Sequence, residues 1–398
     1  MKNPFSTLAA PLDAGAIHDT IQRALASAGL DTRSGAMQGV TDTIRRSLAA
    51  AGLSGATAPT AAEGSVIDIV AREIKTGLPD PIQPTRQPPI GDAEAPGAFE
   101  THQINHPAGT RLYKVYVPSR PVQGPMPMLL MLHGCTQSAD DFAAGTQMNR
   151  LAEAHGFLVV YPEQAAQANP SRCWNWFKSQ DQVRDGGEPA LIAGIAAAVA
   201  ARHDADTRRI FVAGLSAGAA MAVILGQTYP DRVAGIGAHS GLPYGSAHDV
   251  PSALAAMKGR PGAQGNLQGL PGATPGKAKR AVQPVPTIVF HGDRDQTVKQ
   301  GNGALIARQA ADAHGALPGA PALKVSTQRG TAPGGRTFSR TVHADASGAS
   351  RIECWTLHGA GHAWSGGSAK GSYTDGTGPD ASAEMVRFFL ALPRAGAA

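Results

Sequence analysis

The residues best suited to chemistry in this sequence are a serine, two aspartates and two histidines, each placed after an apolar run. Ser216 lies in Gly214-Leu215-Ser216-Ala217-Gly218, between the apolar run 210–213 and the Ala- and Met-rich run 219–227. A serine at a sharp strand-to-helix turn presents its hydroxyl outward, and flanking glycines let the neighbouring backbone approach it. The pattern therefore predicts that Ser216 is a nucleophile.

A serine hydroxyl needs a base within hydrogen-bond reach, and the base needs an orienting acid. After Ser216 the sequence offers Asp293 or Asp295 as the acid. It offers His358 or His362 as the base. We predict Asp295 as the acid, because it falls at the apex of its loop, and Asp293 as the cap of that loop. We predict His362 as the base, because it lies in a glycine-rich loop beyond a strand; His358, at the strand end itself, is expected to be structural.

Two backbone N–H groups are expected to bind the oxyanion that forms during attack. Ala217 offers one of them, because it would stand at the N-terminus of a helix. The second should come from the loop after an earlier strand, and Cys135 in His133-Gly134-Cys135 fits that position. An enzyme with Cys135 as its nucleophile is a weaker alternative, because Ser216 has the better turn.

Three of the four tryptophans, Trp174, Trp176 and Trp364, fall in loops that follow strands. We expect them to be exposed beside the nucleophile and to contact an apolar or ring-bearing substrate. Packing within the loops is the alternative role for these rings. His133 is a further candidate substrate contact, with bracing of the site loops as its alternative.

The cysteine count argues against a zinc site, because there are three cysteines and no CxxC pair. Cys135 and Cys173 belong to loops predicted at the same end of the sheet. A disulfide between them would pin the tryptophan-bearing loop to the oxyanion loop. Such a bond would be unexpected in a reducing cytosol.

Apolar runs predict the strands that must position these residues, and alanine-rich or amphipathic runs predict helices between them. Strands are expected at 111–117 (as an edge strand), 126–132, 157–161, 210–213, 233–238, 287–290, 324–328, 338–343 and 351–357. Helices are expected at 139–155, 188–203, 219–227, 303–314 and 381–392, and a Gly/Pro/Lys-rich insertion at 251–284. This alternation predicts an α/β protein with a mostly parallel sheet and helices on both faces. The candidate residues follow strands, where such a sheet places its site.

The region before the predicted catalytic domain has a different character. The stretches 19–30 and 42–53 resemble each other and have amphipathic spacing, which predicts a helical segment over 1–78 with a weak internal repeat. Six prolines predict an extended linker over 79–97, with the catalytic domain over 98–398. The helical segment would pack on that domain, pair with another chain, or lie on an apolar surface such as a polymer granule.

Length and composition bound the possibilities further. The chain has 398 residues and 42% hydrophobic content, enough for one large domain and an appendage. Its net charge of +5 is scattered, so nucleic-acid binding is not expected. No stretch is apolar enough to cross a bilayer, and the N-terminus lacks the apolar core of a Sec signal. A cytoplasmic or granule-associated protein is therefore expected.

The segments around these residues together resemble the catalytic domain of the poly(3-hydroxybutyrate) depolymerase family of esterases, over about residues 100–392. The segments are 132–138, 173–177, 187–189, 214–218, 291–295 and 361–364. The resemblance implies an α/β-hydrolase fold and a Ser216–Asp295–His362 triad. It also implies cleavage of 3-hydroxyalkanoate or related carboxylic esters, without a metal or other cofactor.

Three functions remain open at this point. The preferred one is a serine esterase that acts on poly- or oligo(3-hydroxybutyrate) through an acyl-enzyme. A feruloyl or acetylxylan-type carbohydrate esterase would use the same chemistry. A non-catalytic protein that binds polymer granules through residues 1–78 belongs to another class. Many family members are extracellular, and that location is the alternative to the cytoplasm.

Overall fold

The computed structural model describes residues 95–120, 123–259 and 284–393. All of them belong to the second of the two units into which the chain divides, Arg86–Ala398. The helical segment predicted over 1–78 and most of the linker predicted over 79–97 lie outside the described residues. In the described ranges, no helix combines the length and the apolar character needed to span a bilayer.

One large sheet dominates the described part of the chain. Its strands are β1 (Ala98–His106), β2 (Gly109–Val117), β3 (Met128–Leu132), β4 (Leu158–Pro162), β5 (Ile210–Leu215), β6 (Gly235–His239), β7 (Thr287–Gly292), β8 (Lys324–Thr331), β9 (Thr337–Ala344) and β10 (Ser350–Leu357). The strand order is β1-β2-β4-β3-β5-β6-β7-β10-β9-β8. Two short strands, β11 (Trp364–Ser365) and β12 (Thr374–Asp375), pair separately.

The central six strands, from β4 to β10, run parallel to one another. Antiparallel strands flank them at both sides, β2 and β1 on one and β9 and β8 on the other. The predicted mostly parallel sheet is therefore confirmed. The prediction of 111–117 as an edge strand is wrong, because β1 pairs with β2 along its whole length. The polar residues of β1 concealed it from a search for apolar runs.

Helices cover both faces of the sheet. They are α1 (Ala139–Thr146), α2 (Met148–His155), α3 (Gly187–His203), α4 (Ala217–Thr228), α5 (Val250–Met257), α6 (Gly301–Gly315) and α7 (Ala381–Ala391). Because strand side chains alternate between faces, Leu130 packs with α3 and α4 while its neighbour Leu129 packs with α1, α2 and α7. Two apolar layers thus sandwich the sheet, as predicted.

Two helical regions differ from the prediction. The helix expected over 139–155 is divided in two at Gln147, whose φ of 54° places it in the left-handed region. The insertion expected over 251–284 begins as α5, whose first turn is capped by Asp249 in a reciprocal hydrogen-bond pair with Ser252. Residues 260–283 of that stretch lie outside the described part.

The strand order reverses beside β3. The chain leaves β3 to form β4 on one side, and β5 then pairs on the other side, with Leu132 opposite Gly214. Loops that leave neighbouring parallel strands in opposite directions open a crevice at their carboxyl ends, where open α/β sheets bind ligands. The loop after β3 and the turn after β5 border this crevice.

We expect Gly218→Ala to destabilise the folded protein, because the new Cβ would lie 2.0 Å from Leu132 O and 2.6 Å from His133 O. These are backbone atoms that cannot rotate away, so the free energy of unfolding should fall by at least about 2 kcal/mol. Urea denaturation followed by tryptophan fluorescence measures the loss. The matched control is Gly301→Ala, whose Cβ meets open space and should change stability by less than about 1 kcal/mol. Equal effects of both substitutions would contradict the close approach.

Candidate active site

Ser216 occupies the turn between β5 and α4 in a conformation that few non-glycine residues adopt. Its φ is 56° and its ψ is −116°, and its N–H donates to His239 O at 2.9 Å. The turn is tight because a Cβ on Gly214 would lie 2.5 Å from the backbone of Gly218. Backbone strain at a strand-to-helix turn that holds a serine outward is the geometry of a nucleophile elbow.

Asp295 and His362 form a buried pair. Asp295 Oδ2 lies 2.6 Å from His362 Nδ1, and the Asp295 side chain is fully buried. Its other oxygen accepts from the N–H groups of Thr297 at 2.9 Å and Val298 at 2.8 Å. Burial alone would raise the pKa of Asp295, but hydrogen bonds from the His291 and His362 rings outweigh it and hold that pKa well below its ordinary value. The carboxylate therefore stays ionised and orients the imidazole.

The structure brings Ser216 to the same end of the sheet as this pair. The His239 ring stacks on Trp364 with centroids 5.2 Å apart, and His239 O accepts from Ser216 N–H. Trp364 follows His362 by two residues, so the turn of Ser216 and the loop of His362 belong to one packed cluster. Within the described residues, Ser216 Oγ and His362 do not form a hydrogen bond. Such contacts are often long in ligand-free enzymes.

The histidines at the strand ends brace this cluster. Ser365 N–H donates to His239 Nε2 at 3.0 Å, so Nδ1 carries the proton and faces Ser240 Oγ at 3.1 Å. Burial, with the nearby His291 and His362 rings, lowers the pKa of His239 to about 3. His291 Nε2 donates to Val298 O at 2.8 Å and lies 3.5 Å from Asp295. Across the described residues, no group of three or more metal-ligating side chains could hold a metal ion.

Two backbone N–H groups follow the carboxyl ends of the neighbouring strands β3 and β5. Ala217 begins α4, where helical N–H groups have no intrahelical partner. Cys135 follows His133 and Gly134 after β3. In the described part of the chain, neither N–H donates to an acceptor. The pair is positioned at neighbouring strand ends, as two donors to one oxyanion would need to be.

Cys135 is joined to Cys173 by a disulfide with a Cα–Cα distance of 4.2 Å. The bond fastens residues 133–137, which we name the oxyanion loop after the candidate donor Cys135, to residues 163–186, which we name the tryptophan loop. A disulfide sulfur has no thiolate to offer, so the alternative of Cys135 as nucleophile does not fit this structure. Cys354 is a free cysteine on β10, and burial raises the pKa of its thiol to about 11.

The expectation that the site tryptophans are exposed is wrong. Trp174, Trp364 and His133 are 0%, 1% and 0% exposed, and Trp176 is 6% exposed. Their polar atoms bond within the protein: Trp174 Nε1 donates to His133 O at 3.1 Å and Trp364 Nε1 donates to Ser382 Oγ at 3.0 Å. These four residues therefore pack and brace the loops, because their ring area is removed from water while the ring N–H groups of Trp174 and Trp364 keep a partner.

His133 shows how the bracing works. Its Nδ1–H donates to Gly134 O at 2.7 Å, and its Nε2 accepts from Gln164 N–H at 3.0 Å. Burial lowers the pKa of this imidazole, which suits a neutral ring with one donor and one acceptor. The ring holds the oxyanion loop against the tryptophan loop. Both of its nitrogens are engaged in these bonds, so neither is available to bind a substrate.

Glu188, at the start of α3, is a buried anchor that the sequence did not assign. Its carboxylate accepts from Asn175 N–H at 2.7 Å, from Asn175 Nδ2 at 2.7 Å and from Gln164 Nε2. Arg111 lies 3.8 Å away. Burial raises the pKa of Glu188, and the nearby Asp181 carboxylate adds to that. These hydrogen bonds fix the tryptophan loop to the start of α3. The partners of Glu188 could be identified only from the three-dimensional structure.

Asp293 and His358 form a second carboxylate–imidazole pair, which we name the loop clamp. His358 Nδ1 lies 3.0 Å from Asp293 Oδ2, and Gly359 N–H donates to Asp293 Oδ1 at 2.7 Å. Partial burial by itself would raise the pKa of Asp293, but these hydrogen bonds outweigh it and lower that pKa. His358 Nε2 faces Ser339 Oγ at 2.8 Å. The clamp joins the loop that carries Asp295 to the loop that carries His362.

The chain is similar to known esterases. Residues 111–330, more than half of the chain, match the family described as esterase PHB depolymerase. The chain is 32% identical over 258 residues to poly(3-hydroxyalkanoate) depolymerase C of Paucimonas lemoignei, covering 65% of this chain and 59% of that protein. It is 30% identical over 201 residues to a probable acetylxylan esterase A of Aspergillus fumigatus, covering 49% of this chain and 52% of that protein. The chain thus spans between half and three fifths of the length of these relatives.

A protein of known structure has a similar fold. An acetyl xylan esterase from Aspergillus awamori superposes with a TM-score of 0.55 at 19% identity, covering 73% of this chain and 99% of that chain. At this identity the likeness concerns the fold alone, and it confirms the predicted α/β-hydrolase architecture. The match over residues 111–330, more than half of the chain, shows that the chain belongs to the esterase PHB depolymerase family.

Proposed function

We propose that this protein is a serine esterase that hydrolyses carboxylic esters through an acyl-enzyme. The observation that carries the proposal is the buried Asp295–His362 pair, 2.6 Å apart, in the same packed cluster as a serine held at φ 56°. An ionised carboxylate behind an imidazole has one well-known use beside an outward serine, which is to make the hydroxyl nucleophilic. Membership of an esterase family supports the same function.

The proposed reaction begins with attack of Ser216 Oγ on the ester carbonyl carbon. His362 Nε2 takes the hydroxyl proton, and Asp295 holds Nδ1–H and stabilises the imidazolium. The N–H groups of Cys135 and Ala217 bind the oxyanion of the tetrahedral intermediate. The intermediate collapses, the carbon–oxygen bond to the alcohol breaks, and His362 gives its proton to the leaving alcohol.

Water completes the cycle on the same groups. His362 removes a proton from water, whose oxygen attacks the acyl carbon of the Ser216 ester. A second oxyanion forms in the same pair of N–H donors, and its collapse breaks the bond to Ser216 Oγ. The serine recovers its proton from His362, and the carboxylic acid product leaves.

We propose poly- or oligo(3-hydroxybutyrate) as the substrate class. The alignment to the Paucimonas depolymerase covers 65% of this chain at 32% identity, against 49% at 30% for the acetylxylan esterase of Aspergillus fumigatus. The longer alignment favours the polyester, and the acetylxylan-type ester is the second candidate. Granule binding by residues 1–78 remains a separate proposal, since that segment lies outside the described residues.

Ser216→Ala should abolish hydrolysis of p-nitrophenyl butyrate, because no other group replaces the attacking oxygen. We expect kcat to fall by at least about 10⁴-fold. The control is Ser326→Ala, an exposed position on β8, which should leave kcat unchanged. A fluorophosphonate probe followed by peptide mass spectrometry should modify Ser216 in the wild type. Full activity of Ser216→Ala would point to a different nucleophile. A wild type that shows neither hydrolysis nor an adduct at Ser216 would favour a non-catalytic scaffold.

The substrate proposal is tested by comparing three esters on one preparation. We expect a higher kcat/KM for 3-hydroxybutyrate trimer than for acetylated xylan or methyl ferulate, measured as acid released. Ser216→Ala serves as the blank for each substrate. Faster release of acetate or ferulate would replace the polyester with a plant-type ester, while leaving the serine mechanism intact.

Asp293→Asn should lower kcat with little change in KM, because the loop clamp positions the loops of Asp295 and His362 and does not touch substrate. Loss of about one charge-assisted hydrogen bond predicts a roughly 5- to 30-fold fall in kcat. The matched control is Asp345→Asn, a carboxylate in the β9–β10 turn that accepts from Ala349 N–H and Arg351 Nε. That variant should keep its kcat even if its melting temperature falls. Equal kcat values for the two variants would remove the clamp from the mechanism.

A further inference from the structure

An exposed aromatic ring lies beside the catalytic loops at a position that sequence patterns did not single out. Among the large hydrophobic side chains exposed in the described residues, Tyr373 is the only aromatic one, and 49% of it is accessible. It stands just before β12, which pairs with β11 directly after the histidine loop, residues 358–363. Trp364 N–H donates to Tyr373 O at 2.7 Å.

The ring reaches the oxyanion loop on its other side. Tyr373 OH lies 3.2 Å from Thr136 Oγ1, and Thr136 directly follows the candidate oxyanion donor Cys135. Thr136 Oγ1 in turn donates to Cys135 O at 2.5 Å. Tyr373 thus has its backbone against the segment that follows the base His362 and its hydroxyl against the loop of the oxyanion donor.

The backbone of Tyr373 is strained in a way that burial of the ring does not compensate. Its φ is 52°, in the left-handed region that bulky side chains avoid. The preceding residue holds the loop in place, since Ser372 N–H donates to Asp141 Oδ1 at 2.9 Å and Ser372 Oγ donates to Asp141 Oδ2 at 2.5 Å. Gln137 Nε2 also donates to Ser372 O at 3.1 Å. Neighbouring polar contacts therefore impose a conformation that leaves an apolar ring in water, which is typical of ligand-binding positions.

We propose that Tyr373 is a specificity-determining residue whose ring packs against an apolar group of the ester, adjacent to the scissile bond. The inference rests on the proposed esterase function and extends it to the part of the substrate that is recognised. A half-exposed phenol ring offers an apolar face of large area, while its hydroxyl stays anchored on Thr136. The ligand class is an ester whose acyl or alcohol part carries several carbon atoms or a ring. Acetyl esters of small alcohols would gain little from such a contact.

Two substitutions separate the ring from the hydroxyl. Tyr373→Asn removes the ring, and asparagine tolerates the left-handed conformation better than most residues, so the loop is expected to persist. Tyr373→Phe keeps the ring and removes only the contact to Thr136. Val325→Asn is the matched control, because Val325 is also an exposed apolar residue but lies on the outer strand β8. Thermal unfolding of all three variants checks that the fold is retained.

The experiment measures kcat and KM over two substrate series. The acyl series is p-nitrophenyl acetate, butyrate and hexanoate, and the alcohol series is methyl, butyl and p-nitrophenyl butyrate. We expect Tyr373→Asn to raise KM about 3- to 10-fold for the larger groups of one series, with kcat within about twofold. Which series responds identifies the acyl or the alcohol part as the contact. Tyr373→Phe and Val325→Asn should keep the KM of the wild type.

The outcomes distinguish this inference from the proposed function. An unchanged KM for every ester in Tyr373→Asn, with Ser216 still labelled by a fluorophosphonate, would overturn the role of Tyr373 and leave the esterase intact. An equal loss in Tyr373→Phe would assign the effect to the Thr136 contact and also overturn it. A wild-type protein that neither hydrolyses these esters nor labels at Ser216 would overturn the proposed function, and this inference with it.

Discussion

The close approach of α4 to the end of β3 is the constraint on which the rest of the site depends. Gly214 and Gly218 leave no room for a side chain, so the helix starts directly against the carbonyl groups of Leu132 and His133. This contact brings the N–H of Ala217 and the loop of Cys135 to the same crevice. Ser216 lies at this tight turn with a φ of 56°. The elbow and the oxyanion loop are therefore consequences of one steric condition between neighbouring parallel strands.

Buried polar pairs, rather than apolar packing alone, hold the loops around that crevice. Asp295, His239, His133 and Glu188 are all buried, and each has hydrogen-bond partners on a different loop. A buried polar group that loses its partner costs about 1–3 kcal/mol, so these loops have few alternative arrangements. The disulfide between Cys135 and Cys173 adds a covalent link between two of the same loops. Rigid loops suit a mechanism that depends on donors already in place.

The exposed aromatic ring near the site is not one of those that the sequence suggested. Tryptophans in polar loops suggested an exposed binding surface, yet Trp174 and Trp364 are sealed inside the loops. Tyr373, in a stretch of Gly, Ser and Thr without any notable pattern, carries the exposed ring. A large ring in a long loop has apolar area to bury, and a loop that folds back on the sheet can bury it. Only the path of the loop decides which ring remains in water.

The sequence by itself determined the parallel strands, most helices, the elbow serine and the candidates for acid and base, because these depend on local periodicity, glycine spacing and order along the chain. It left a disulfide between Cys135 and Cys173 open, and only the structure shows that bond. It missed β1, whose polar residues form a strand only by pairing with β2, and it missed the break at Gln147. The anchor Glu188, the full set of partners of His358 and the exposure of Tyr373 were decided by tertiary structure alone. Each depends on contacts between residues far apart in the chain, and periodicity carries no information about which distant partner a side chain will meet.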